Sequence, residues 1–174
     1  MRLAVLSGAL LLGMPGLLGS SMQAHAEDAS TGCPVRPLAV DAAQLKSAAG
    51  VQSVVFDADH TRATVMFANG DVLRAGTTGC VTPMVSVRLW VAGEDAASDG
   101  TWLERARTVT SLVLAPASAA QVDASLKSDS AVTHVDGGMK ADHALGNGAG
   151  YSLTVVRTPR DSLGASLSLV FRNL

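Results

Sequence analysis

Residues 84–91 read Met-Val-Ser-Val-Arg-Leu-Trp-Val, and their alternation constrains the fold more than any other stretch of the chain. Val85, Val87, Leu89 and Val91 fall on one side of an extended segment, while Ser86, Arg88 and Trp90 fall on the other. Successive side chains of a strand point to opposite faces, so a period of two predicts a strand with one face in a core. Upstream, Val51–Asp57 is rich in Val and Phe, Arg62–Ala68 alternates again, and a third strand is predicted over 71–75. Asp57-Ala58-Asp59-His60 supplies turn chemistry to the first connection. Asn69-Gly70 predicts a two-residue type I′ hairpin at the second, because both residues tolerate positive φ. Residues 51–91 are therefore expected to form an antiparallel meander.

Helical periodicity appears outside that meander. Val40–Lys46 predicts a short helix, with Asp41 as its cap and Gly50 near its end. Thr101 and Glu104 have capping-box spacing, and Trp102, Ala106, Val109 and Val113 recur at helical intervals. Pro116 breaks the stripe, and Ala117–Lys127 predicts a further helix. Residues 128–150 hold Gly137, Gly138, Gly146, Gly148 and Gly150 among polar residues and read as a long loop, with at most a short strand at 132–135. Tyr151–Arg157 and Ala165–Arg172 close the chain as a hairpin through 158–161. The fold class is α+β: an antiparallel sheet of about six strands, meander plus C-terminal hairpin, with two to three helices packed on one face.

The first 26 residues carry a different signal. Arg2 precedes the apolar run Leu3–Leu18, and Ala24-His25-Ala26 is a small-x-small cleavage pattern ahead of Glu27 and Asp28. Gly13, Pro15 and Gly16 interrupt the run, which argues against a retained spanning helix of about 20 residues. Residues 1–26 are accordingly expected to be a cleaved secretory signal peptide and 27–174 a single α+β domain, exported to a periplasm or beyond. Cys33 and Cys80 are an even pair in an oxidising compartment, so a structural disulfide is expected, worth roughly 4 kcal/mol for a loop of that length. Past the leader, 12 basic residues face 15 acidic ones. That balance lacks the positive footprint of a nucleic-acid binder.

Two clusters have metal or acid–base chemistry in principle. Asp57, Asp59 and His60 are ordinary turn residues as well as potential ligands. His134, Asp136, Asp142 and His143 have the right donor atoms for Zn²⁺, without the helical spacing that would put two imidazoles on one face. A metal-binding or metal-dependent periplasmic enzyme built on these four is one reading of the chain. No G-x-S-x-G, H-E-x-x-H or G-x-x-x-x-G-K signature accompanies it, and six aromatic residues in all suit a sugar-stacking cleft poorly.

A third feature favours binding over chemistry. Arg88 and Trp90 lie on the polar side of their strand, and Arg62 and Arg74 sit on neighbouring strands. Arg and Trp most often anchor protein interfaces. A sheet with helices on one face must cover its other face or bind something with it. The expected function is a small exported non-enzymatic binding protein. An inhibitor or immunity protein against a cell-envelope hydrolase or toxin would plug its target with the 128–150 segment. A structural accessory subunit of an envelope complex is the alternative within the same class. The expected partner is another exported or envelope protein, with no cofactor beyond the Zn²⁺ alternative.

Overall fold

The computed structural model describes Leu38, Val40 and residues 42–79, 82–92, 97–127, 132–157 and 164–174, all within one unit, Cys33–Leu174. The elements run α1 (Ala42–Ser47), β1 (Val51–Phe56), β2 (Arg62–Phe67), β3 (Val72–Thr78), β4 (Met84–Val91), α2 (Asp99–Val113) and α3 (Pro116–Lys127). Four strands follow, β5 (Val132–Val135), β6 (Gly138–Gly146), β7 (Ala149–Val156) and β8 (Ala165–Arg172). All eight strands form one antiparallel sheet in the order β1-β2-β3-β4-β8-β7-β6-β5. The N-terminal meander ends at β4, the two long helices intervene, and the second meander starts at the far edge and returns to lie beside β4.

The α+β class and the antiparallel sheet agree with expectation; the strand number does not. Eight strands replace about six because 128–150 is no long loop: its described part forms β5, β6 and the start of β7. Asp136-Gly137 and Asn147-Gly148 are tight hairpin turns, with Gly137 at φ 69°, Asn147 at 51° and Gly148 at 76°. Gly138 has a separate reason to be glycine. A Cβ there would lie 1.8 Å from the Val155 carbonyl oxygen, so only a bare Cα lets β6 and β7 approach. Asn69-Gly70 also differs from expectation. The Phe67 N–H bonds the Asp71 carbonyl around a three-residue loop in which Gly70 alone has positive φ, so the turn is not type I′. The predicted disulfide falls on Cys33 and Cys80, which both lie outside the described residues.

The core sits between one sheet face and the helices. Val65, Leu73, Leu89, Leu167, Val155 and Met139 share one register across six strands, and all are buried. Trp102, Ala106, Val109 and Val113 of α2, and Val122 and Leu126 of α3, complete the same cluster. The N-cap of α2 is Ser98, whose hydroxyl accepts from the Thr101 N–H, rather than Thr101 itself. Pro116 opens α3, where a missing N–H costs nothing. Arg107 of α2 then pairs with Asp123 of α3, holding the two helices side by side. Among the described residues, no helix is long and apolar enough to cross a membrane.

Candidate functional site

Strand alternation sends every second side chain to the face away from the helices, and no described element covers that face. The charged residues of the strands all project there. Arg62, Arg74, Arg88, Lys140 and Arg172 supply five cations against one carboxylate, Asp142. Five against one, in a chain whose formal charge is −2, is a local excess of positive charge, whereas the helices carry both signs, with Lys46, Arg105, Arg107 and Lys127 among their basic residues. The acidic side chains described on the helices, Asp99, Glu104 and Asp123, stand on the other layer.

Three of the cations share a depression. Arg62, Arg74 and Arg88 line a concavity of about 760 Å³, whose remaining polar lining includes Thr64, Ser86 and Ser168. Arg74 and Arg88 are directly opposed on β3 and β4. Like charges in that register repel. Arg88 is held in place: its guanidinium lies 5.0 Å from the Trp90 ring centre and donates to Ser166 Oγ at 3.3 Å. Arg62 stands opposite Gly76, and its stem occupies the space a side chain there would need. Arg74 is exposed and, among the described residues, its guanidinium has no hydrogen-bond or ion-pair partner.

Trp90 takes a different part from that of a projecting anchor. It is 9% exposed and stands outside the main core cluster, with the Arg88 guanidinium over its ring. Its place in the site is to orient Arg88, leaving the arginines to present the polar surface.

Asp57 lies at the rim of the depression and belongs to the turn between β1 and β2. Its carboxylate accepts from Thr61 Oγ1 at 2.7 Å and from the Arg62 N–H at 3.0 Å. The Thr61 hydroxyl, then the Arg62 amide, hold its pKa below the ordinary value of 3.8. His60 adopts φ 54° and stacks on Phe56 at 5.2 Å, and Asp59 is exposed, so the trio serves the turn.

The four residues of the Zn²⁺ reading are dispersed by the same alternation. His143 points to the helix side, its Nδ1 3.1 Å from Ser125 Oγ and its ring stacked on Tyr151. Asp142, one residue earlier, points to the opposite face and accepts from the Ser152 hydroxyl. His134 Nε2 meets Asp99 at 2.6 Å beside the start of α2, and Asp136 lies in the turn before Gly137. Among the described residues, no three His, Cys, Asp or Glu side chains gather as a metal site. Tyr151 donates to Ser125 at 3.2 Å, and its burial raises its pKa above the ordinary value.

Sequence reasoning missed Ser168, Thr154, Lys140 and Arg172 as parts of the charged face. The alternation of Ala165–Arg172 was visible, but its adjacency to β4 was not. Lys140 belongs to β6, whose glycine-rich, polar surroundings carry no clear strand alternation. No protein-family model, curated protein or solved structure matches the chain.

Proposed function

We propose that the protein is an exported, non-enzymatic binding protein that docks another exported or envelope protein on the sheet face away from the helices. Inhibition of, or immunity to, a cell-envelope hydrolase or toxin is the form we favour; the signal-like leader of residues 1–26 supplies the address. The observation that carries this reading is the five-to-one excess of cations on that face, three of them lining one depression. Charge of one sign, gathered opposite a packed helix layer, steers and selects a partner of the other sign. A loop plug is no part of the proposal, since residues 132–150 are strands and tight turns.

Co-purification from an envelope extract tests the reading. The unaltered protein should retain a partner at low salt that an Arg74→Glu/Arg88→Glu double variant releases. A Lys127→Glu variant on the helix layer should keep it. Equal retention by all three proteins would sink the proposal.

A further inference from the structure

We infer that the partner presents one carboxylate to Arg62 and Arg74 together, and seats on Val55 an apolar side chain two residues along the same extended segment. The inference rests on the docking reading above and names the chemistry of its ligand.

The register supplies the geometry. Arg62 opposes Gly76, and Thr64, two residues along the same strand, opposes Arg74. Arg62 and Arg74 are therefore diagonal neighbours on the face away from the helices, with Cβ atoms about 7 Å apart. With no side chain at Gly76, the Arg62 stem leans over β3, its Cγ 3.3 Å from where a Gly76 Cβ would stand. Two long cations so placed can converge on one carboxylate, each guanidinium offering a fork of N–H donors. The Thr64 hydroxyl, next to both positions, adds a further donor. Arg88 takes no part. Its guanidinium turns to the Trp90 ring and Ser166, on the far side of the Arg74 row from Arg62.

Charge at this corner favours an incoming anion. Among the described residues, neither the Arg62 nor the Arg74 guanidinium has a hydrogen-bond or ion-pair partner. Asp57, the carboxylate on the rim, accepts instead from the Thr61 hydroxyl and the Arg62 backbone N–H. A carboxylate between the two guanidinium groups also relieves their mutual repulsion.

Val55 gives the ligand its second feature. It opposes Thr64 from the β1 side, lines the same depression and is 64% exposed, more than any other large apolar side chain described. Covering it with an apolar group removes both surfaces from water. From Val55 to a carboxylate held between β2 and β3 is one and a half strand spacings, about 7 Å at ~4.8 Å per strand. Side chains two residues apart on an extended chain share a side and are also about 7 Å apart. The matching sequence is thus acidic-x-apolar, such as Glu-Ser-Leu. Free phosphate has no apolar part to meet Val55, and a bilayer meets the rim of a concave site before its floor.

The test is an NMR titration of the ¹⁵N-labelled protein at low salt with two end-blocked peptides of the same composition. One carries Glu-Ser-Leu in a Ser/Gly background; its isomer carries Glu-Leu-Ser, which puts the two side chains on opposite sides. The first should bind several-fold tighter and shift the amide resonances of Val55, Arg62, Thr64 and Arg74. Arg62→Gln and Arg74→Gln should each weaken it about tenfold, since a charge-assisted hydrogen bond is lost. Val55→Ser should erase the difference between the isomers while leaving the carboxylate contact. Lys140→Gln, across the sheet, should leave binding within twofold. Equal binding of the isomers, no shift at these residues, or a Lys140→Gln loss as large as that of Arg62→Gln would overturn the inference. So would inorganic phosphate binding as tightly as the first peptide, or binding of phosphatidylglycerol vesicles without binding of peptide. If the extract experiment still depends on the arginines while both peptides fail, the docking reading stands and this ligand does not; failure of both removes both.

Discussion

Replacing Arg74 by glutamate should stabilise the free protein while it removes binding. Arg74 and Arg88 are directly opposed and both exposed, so their like charges act against each other across the β3–β4 pair. Opposed charges on neighbouring strands contribute about 0.2–1 kcal/mol, unfavourable when alike and favourable when opposite. Solvent exposure and salt push both figures towards the lower end. The swing from repulsion to attraction is then about 0.5–1 kcal/mol, of which Arg74→Gln captures the first half. In a domain of this size such a change corresponds to about 1–4 °C in Tm. Comparing the Glu and Gln variants cancels the loss of the arginine stem, which both share. Urea unfolding of the three proteins at low and at high salt provides the measurement. Stability should rise from Arg to Gln to Glu at low salt, and the Gln-to-Glu step should shrink as salt rises. A Glu variant less stable than the Gln variant at low salt would refute the argument that the site is held against its own electrostatics, as would a step indifferent to salt.

Three further outcomes follow from the packing. Ser98→Ala removes the cap of α2 and should cost about 1 kcal/mol in a denaturant midpoint experiment, with the Gly variant losing less. Gly138→Ala forces a Cβ into the Val155 carbonyl and should destabilise the sheet by several kcal/mol, or loosen β5–β6 first, which hydrogen exchange of β6 amides would detect. Asp57 has a folded-state pKa below its unfolded value of 3.8, so its contribution is present above that pH and is lost as pH falls through the folded value. Asp57→Asn should therefore lower stability at pH 7 and flatten the decline of stability below about pH 4 in acid melts, relative to the unaltered protein.

The parts of the fold that could be read along the chain are those where local pattern and burial agree. The alternation of 84–91 marks β4 from end to end, because a strand with a core beneath it selects apolar residues at every second position. The apolar stripe from Trp102 to Val113 and the proline at 116 delimit α2 and α3 for the same kind of reason. The polar sides of β2, β3 and β4 likewise put Arg62, Arg74 and Arg88 on a common face. β5 and β6 were not legible. β5 is an edge strand whose last three residues are exposed, so burial never selected an apolar alternation there. In β6 the helix-side positions are filled by Met139, Ala141, His143 and Leu145, and one of those is a polar residue that found Ser125 and Tyr151 as partners. The Asp136-Gly137 and Asn147-Gly148 turns carried the missing signal, obscured by the density of glycines around them.

Local sequence is enough to commit this chain to alternating strands, to the helical stripe of α2 with the break at Pro116, and to arginines on the polar sides of β2, β3 and β4. Those properties depend on the two-residue and 3.6-residue periods of the backbone, which neighbours along the chain already define. Three-dimensional packing had to settle the rest. It set β8 against β4, and so placed Ser168, Thr154 and Lys140 in line with Arg74 and Arg88. It also dispersed His134, Asp136, Asp142 and His143 over both faces and a turn. The physical reason is common to both outcomes. Which strands become neighbours depends on how the sheet buries its apolar face beneath α2 and α3, a non-local free energy that no single segment encodes.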